Sequence, residues 1–185
     1  AAPSFTKKAL ELLATKRNRR IIKQRTKLPQ SDLQIKSVPG GVLVQEKDNS
    51  KISEIELKVV TEKQVDQAQM EDIKIAWTVC KHTKSNAIVF VKDKKAIGVG
   101  AGQMSRVDSA RLASEKAKQF GHDLHGAVAA SDAFFPFADG LLQIAEQGIT
   151  AVIQPGGSVR DEEIIKAANE KNIAMVFTGI RNFKH

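Results

Sequence analysis

Four stretches of this chain gather residue types that bind or move protons, and each sits where a strand meets a turn or helix. The first is Lys81-His82-Thr83-Lys84-Ser85-Asn86. A lysine beside a histidine can supply a cation and a base, and an asparagine amide both donates to and accepts from another amide. The plainer alternative for His82 is a structural histidine. The second is Gly98-Val99-Gly100-Ala101-Gly102-Gln103-Met104-Ser105-Arg106. Its glycines imitate a dinucleotide fingerprint, but the final glycine spacing is missing and no acid follows to hold a ribose. A tight turn that lets a ligand approach the backbone fits better. Arg106, in the first turn of the next helix, could grip a phosphate or carboxylate with two parallel hydrogen bonds.

The third stretch is Ser131-Asp132-Ala133-Phe134-Phe135-Pro136-Phe137-Ala138-Asp139. Three phenylalanines around a proline, in a chain that is only 5% aromatic, could wall a slot for a flat heterocycle, with Asp132 and Asp139 reading ring N–H groups. Core packing is the rival explanation. The fourth is Gln154-Pro155-Gly156-Gly157-Ser158-Val159-Arg160. A glycine turn running into a helix offers free N–H groups and the positive end of the helix dipole to an anion or carbonyl oxygen. A serine-capped turn explains the same letters. His122 and His125 lack a third ligand nearby and read as solvated.

These stretches need a scaffold that brings strand ends together. Periodicity predicts helices over Pro3–Ala14, Val65–Val79, Ser105–Phe120, Phe137–Gln147 and Ser158–Glu170, the last capped by Ser158 with Asp161 completing the start. Strands are expected at Arg20–Lys23, Leu33–Val38, Val42–Gln45, Ala87–Val91, Ala96–Val99, Gly126–Ala130, Ile149–Ile153 and Ile173–Phe177, with a hairpin turn at Lys92–Lys95. From residue 65 onward strands alternate with helices, which predicts a largely parallel sheet covered on both faces. In such sheets ligands collect at strand ends.

Composition narrows the classes. With 185 residues, 42% hydrophobic and 27% charged, the chain reads as one globular domain with a small appendage. No apolar run reaches the roughly 20 residues that span a bilayer, and no secretory leader is visible. Cys80 is the single cysteine, so an internal disulfide and a thiolate-rich zinc cluster built from this chain alone are excluded and a reducing compartment is expected. The chain opens on Ala1, as a processed or partial chain would. Nine of its 29 basic residues but one of its 21 acids lie between Lys7 and Lys27, so the net charge of +8 is concentrated there. That segment could attract phosphates, and a non-catalytic nucleic-acid-binding module is the alternative function. The absence of interleaved aromatics favours a solvated helix face instead.

Taken together and in order, KHTKSNAI, GVGAGQMSR, ASDAFFPFADG, IQPGGSVRDEE and MVFTGIRNFKH resemble the second half of the transformylase region of the bifunctional purine-biosynthesis enzymes, which join AICAR transformylase to IMP cyclohydrolase. APSFTKKALELLATKRNRR and GGVLVQ match as well, so the resemblance spans essentially the whole chain. It implies a three-layer α/β/α sandwich similar to cytidine deaminases but without zinc, residues 1–64 forming a lead-in segment and 65–185 the second subdomain. The deaminase zinc signature is indeed missing from these letters. It implies formyl transfer from 10-formyltetrahydrofolate to the 5-amino group of AICAR, with AICAR and folate as ligands, and a cytoplasmic homodimer that binds neither membrane nor nucleic acid. The catalytic Lys-His pair and the cyclohydrolase are expected upstream. Lys81 and His82 are only pseudo-equivalent to that pair, so this chain alone should be inactive. By the same resemblance, Asn86, Arg106, Phe134 and Arg181 bind AICAR; Val107, Asp139, Ser158 and Val159 border the folate; and Asp132 with His185 lies near a monovalent cation such as potassium. Ala138 and Lys184 stand where many relatives have arginine.

Overall fold

A computed structural model describes residues 1–26 and 31–184. The chain forms two compact units, Ala1–Asp48 and Asn49–His185.

The first unit holds helix α1 (Lys7–Ala14) and a hairpin of β1 (Leu33–Val38) and β2 (Gly41–Glu46). Thr6 caps α1 by accepting from the Ala9 amide at 3.2 Å. Gly40, at φ +80°, closes the hairpin. None of the described residues here is buried, and Ile35, Val42, Leu43 and Val44 all stay exposed. The strand expected at Arg20–Lys23 reduces, among the described residues, to one bridge between Lys23 and Ala2.

The second unit carries β3 (Lys58–Val59), α2 (Gln67–Lys81), β4 (Ile88–Lys92), β5 (Lys95–Gly100), α3 (Arg106–Gln119), β6 (Val128–Ser131), α4 (Ala138–Ala145), β7 (Ala151–Gln154), α5 (Asp161–Glu170) and β8 (Ala174–Phe177). Six strands form one sheet in the order β3-β8-β7-β6-β4-β5. Only β6–β7 and β7–β8 are parallel; the other three pairings are antiparallel. The sheet is therefore mixed rather than largely parallel. The β4–β5 hairpin forces one reversal, β4 runs against β6, and β3 adds an antiparallel edge that two residues could not announce in sequence.

Both faces are covered, giving three layers. On one face Ile73, Ala76, Trp77 and Cys80 of α2 pack against Val89, Val91, Val128 and Ile153. On the other, α3, α4 and α5 bring Ala110, Ala113, Leu141, Ile144 and Ile164 onto Ile88, Phe90, Val152 and Met175. Helix α2 starts at a full capping box: Asp66 accepts from the Gln69 amide at 2.8 Å and Gln69 returns the bond at 3.1 Å. At the β4–β5 turn Asp93 and Lys94 have φ of 51° and 62°, and the Asp72 carboxylate accepts from both amides. Among the described residues no helix is long and apolar enough to cross a membrane.

The glycines of the second stretch do something other than expected. Gly98 and Gly100 lie within β5, and a Cβ on Gly100 would collide with the Ser109 backbone carbonyl, one on Gly98 with that of Ala113. They let α3, whose buried face is Ser109, Ala110, Ala113, Ser114 and Ala117, lie directly on the strand. Only Gly102, at φ +64°, serves the turn.

Candidate functional site

Register places the four stretches at one end of the sheet. Ile88, at the start of β4, pairs with Gly100 at the end of β5 and with Ser131 at the end of β6. Gln154, ending β7, pairs with Phe177, ending β8. The segments 84–86, 101–106, 132–137, 155–160 and 178–184 thus emerge side by side. Their hydrogen bonds tie them together. The Asn182 amide donates to the Asp132 carbonyl at 3.1 Å, and Ser85 and Lys184 exchange two bonds of 2.8 Å. The Thr178 amide donates to the Gln154 carbonyl at 3.0 Å.

Arg106 is the centre of this end. Its Nε donates to Ser131 Oγ at 3.2 Å and its Nη2 to Asp132 Oδ1 at 3.2 Å. The pair is buried, the Asp132 side chain being 0% and the Arg106 side chain 13% exposed. Burial lowers the Arg106 pKa most, Asp132 opposes that, and the nearby Arg181 guanidinium lowers it further. Arg181 itself is exposed and lies over the Phe183 ring at 4.1 Å. Asn86 is half-buried; its Nδ2 donates to the Gln103 and Met104 carbonyls at 2.9 and 3.0 Å, leaving Oδ1 outside those bonds.

The three phenylalanines do not form one slot. Phe135 is buried in the core, with its amide donating to Gln154 Oε1 at 2.9 Å, because Gly140 leaves room for its ring. Phe134 is half-buried and Phe137 exposed, the latter under the Arg160 guanidinium at 4.7 Å. The Asp132 side chain is fully buried against Arg106, away from any ring at the surface, and its Oδ2 has no partner among the described residues. Asp139 is exposed in the first turn of α4.

Val107 sits against Gly140, so it neighbours Asp139 across the start of α4. The Phe137–Arg160 stack adjoins Val159, which is fully exposed, and half-buried Ser158. Ser158 does not cap α5. Arg160 occupies that position, Ser158 Oγ accepts from the Arg160 amide at 3.1 Å, and Asp161 accepts from the Gly157 amide at 2.6 Å. A turn over Val159 and Arg160, closed by the Asp161 amide donating to the Ser158 carbonyl at 3.1 Å, separates the serine from the helix. His185 lies outside the described residues.

Lys81 and His82 part company. Lys81 is buried, donating Nζ to the Ser50 carbonyl at 2.5 Å and lying 5.7 Å from the Trp77 ring centre. His82 follows α2 as its exposed C-cap. Cys80 is enclosed between α2 and the sheet, and burial pushes its thiol pKa up. His122 and His125 are exposed at the opposite sheet end, where Asp123 holds Lys92 at 2.8 Å and His125 Nδ1 at 2.9 Å. The sequence alone assigned no role to Ser131, Asn182 or Phe183. Of these only Phe183 left a signal, since an i,i+2 spacing from Arg181 puts both on one side of an extended segment.

The two-layered cover and the mixed sheet define an α/β protein, with amide, guanidinium and aromatic groups gathered at one end of its sheet. The sequence places it further: residues 1–116 match the model of the AICARFT/IMPCHase bienzyme family. The chain belongs to that family. A bifunctional purine biosynthesis protein PurH from Chlorobium chlorochromatii (strain CaD3) is 57% identical over 184 residues, covering 100% of this chain and 35% of the relative. The PurH of Chlorobaculum parvum is 54% identical over the same share. This chain thus spans about a third of the length of these relatives. Among solved structures, a dCMP deaminase from the cyanophage S-TIM5 aligns with 60% of this chain and 98% of its own at 12% identity and a TM-score of 0.41. A Thermotoga maritima deaminase/reductase aligns with 58% of this chain and 34% of its own at 23% identity and a TM-score of 0.34.

Proposed function

We propose that this chain supplies the carboxy-terminal half of a site that transfers a formyl group from 10-formyltetrahydrofolate to the 5-amino group of AICAR. The amine is a weak nucleophile, so a base must take its proton as the new C–N bond forms at the formyl carbon. The tetrahedral oxyanion then collapses, the bond to N10 breaks, and a proton goes to that nitrogen. The base and the cyclohydrolase belong to the part of the enzyme upstream of this chain. Lys81, engaged with the Ser50 carbonyl, is poorly suited to serve as a substitute.

The single observation that carries the reading is the convergence of the segments bearing Asn86, Arg106, Phe134 and Arg181 at one sheet end. In this reading Asn86 Oδ1 accepts from the AICAR carboxamide, Phe134 flanks its ring, and the two arginines attract its anionic end. Val107, Asp139, Ser158 and Val159 border the folate on the α4–α5 side. Asp132 Oδ2, a buried carboxylate oxygen without a described partner, is a hard oxygen donor suited to a cation, and Asp132 and His185 would lie near a potassium site. The enzyme acts as a homodimer in the cytoplasm.

The test is complementation. Alone, the chain should give no FAICAR from AICAR and 10-formyltetrahydrofolate; with the upstream region joined or added as a second polypeptide, turnover should appear. Turnover by the isolated chain would return His82 to the role of base and end the half-site reading.

A further inference from the structure

We propose that Ser131 and Asp132 are positioning residues: they fix the Arg106 guanidinium through Nε and Nη2 so that its remaining nitrogen, beside Arg181, meets the nucleotide. This rests on the reading of the sheet end as the AICAR site and adds to it the residues that set the arginine geometry.

Three features carry the assignment. First, the clamp uses one edge of the fork only. Ser131 Oγ and Asp132 Oδ1 accept from Nε and Nη2, both at 3.2 Å, and neither bond uses Nη1. Ser131 spends its own hydroxyl proton on the Ala133 carbonyl at 2.7 Å, so its oxygen can face Arg106 only as an acceptor. Second, Asp132 also holds the other arginine's segment. Its carbonyl accepts from the Asn182 amide at 3.1 Å, one residue from Arg181. One residue thereby sets the spacing of two like charges, which would otherwise move apart. Third, the arrangement is poor as pure stabilisation. The pair is almost wholly withdrawn from water, and a buried ion pair is commonly no better for stability than an apolar filling of similar volume. What the pair supplies is a guanidinium immobilised before the ligand arrives.

The experiment is steady-state kinetics of the full-length enzyme, with both KM values and kcat, for Asp132→Ala, Asp132→Asn, Ser131→Ala, Arg106→Ala and the double variant Arg106→Ala/Asp132→Ala. Asp132→Ala should raise KM for AICAR by roughly tenfold or more, leaving KM for the folate within about twofold. Asp132→Asn keeps an acceptor oxygen toward Nη2 and should recover most of the loss. Ser131→Ala, the mildest change and the safest to fold, should raise KM for AICAR a few-fold. The double variant should be no worse than Arg106→Ala alone, since the clamp acts only through that arginine. The inference is overturned if the two losses multiply, if Asn is as poor as Ala, or if the Asp132→Ala defect vanishes once potassium is replaced by choline in both enzymes. If Arg106→Ala itself leaves KM for AICAR unchanged, the reading of this end as the nucleotide site fails. If Arg106→Ala raises it while Asp132→Ala and Ser131→Ala do not, only the positioning role fails.

Discussion

The two ends of the sheet carry the same pair chemistry in opposite surroundings. At one end Arg106 meets Asp132 at 3.2 Å with almost no solvent; at the other Lys92 meets Asp123 at 2.8 Å with the Asp123 side chain 63% exposed. The shorter bridge is the one whose loss should cost less. Water and salt screen the exposed pair, whereas the buried pair has already lost its hydration and depends on its partner. Proximity alone therefore says little. The buried end is also where five segments are laced together by main-chain bonds.

The sharpest way to break this comparison is to remove one partner at each end. Arg106→Ala leaves the Asp132 carboxylate buried without the side-chain partner described for it, and should cost about 3–5 kcal/mol, read as a shift in the urea midpoint of this chain. Gly100→Ala comes next. Its methyl would press on the Ser109 carbonyl and lift α3 from β5, at a cost of about 1–3 kcal/mol. Lys92→Ala should cost less than about 1 kcal/mol, and 1 M salt should erase most of that difference. Smallest is a pH effect. Bonds from Lys92 and then His125 hold the Asp123 carboxyl well below the usual carboxylate range. Its folded pKa is depressed, so the stabilisation is present above the unfolded value and is lost as pH falls below about 4. Asp123→Asn should flatten the acid limb of a stability-versus-pH curve only slightly, because the group is exposed. A steep change would show that this end matters as much as the other.

Much of the fold was legible because periodicity and caps are local. The helix expected over Val65–Val79 is found at Gln67–Lys81, and Ser105 caps α3 as its position before the apolar face implied. The Lys92–Lys95 turn followed from its place between two apolar runs. Sheet direction was not legible, since pairing is decided by tertiary contacts and β3 is two residues long. Nor was the fate of Phe135, whose neighbours face outward. That depended on Gly140 leaving a space in a helix five residues later. The Arg106–Asp132 pair spans 26 residues, and only the register of β4 against β6 brings it together. Site residues could thus be picked by type and place, while the contacts that fix them required three dimensions.

Hydrogen-exchange mass spectrometry of the full-length enzyme with and without AICAR tests the central claim most directly. Binding should slow exchange in segments 84–86, 101–107, 131–137 and 178–184 together, with 92–95 and 121–126 unchanged. Protection confined to other regions, with those four segments exchanging as fast as before, would contradict a shared nucleotide site at this end of the sheet.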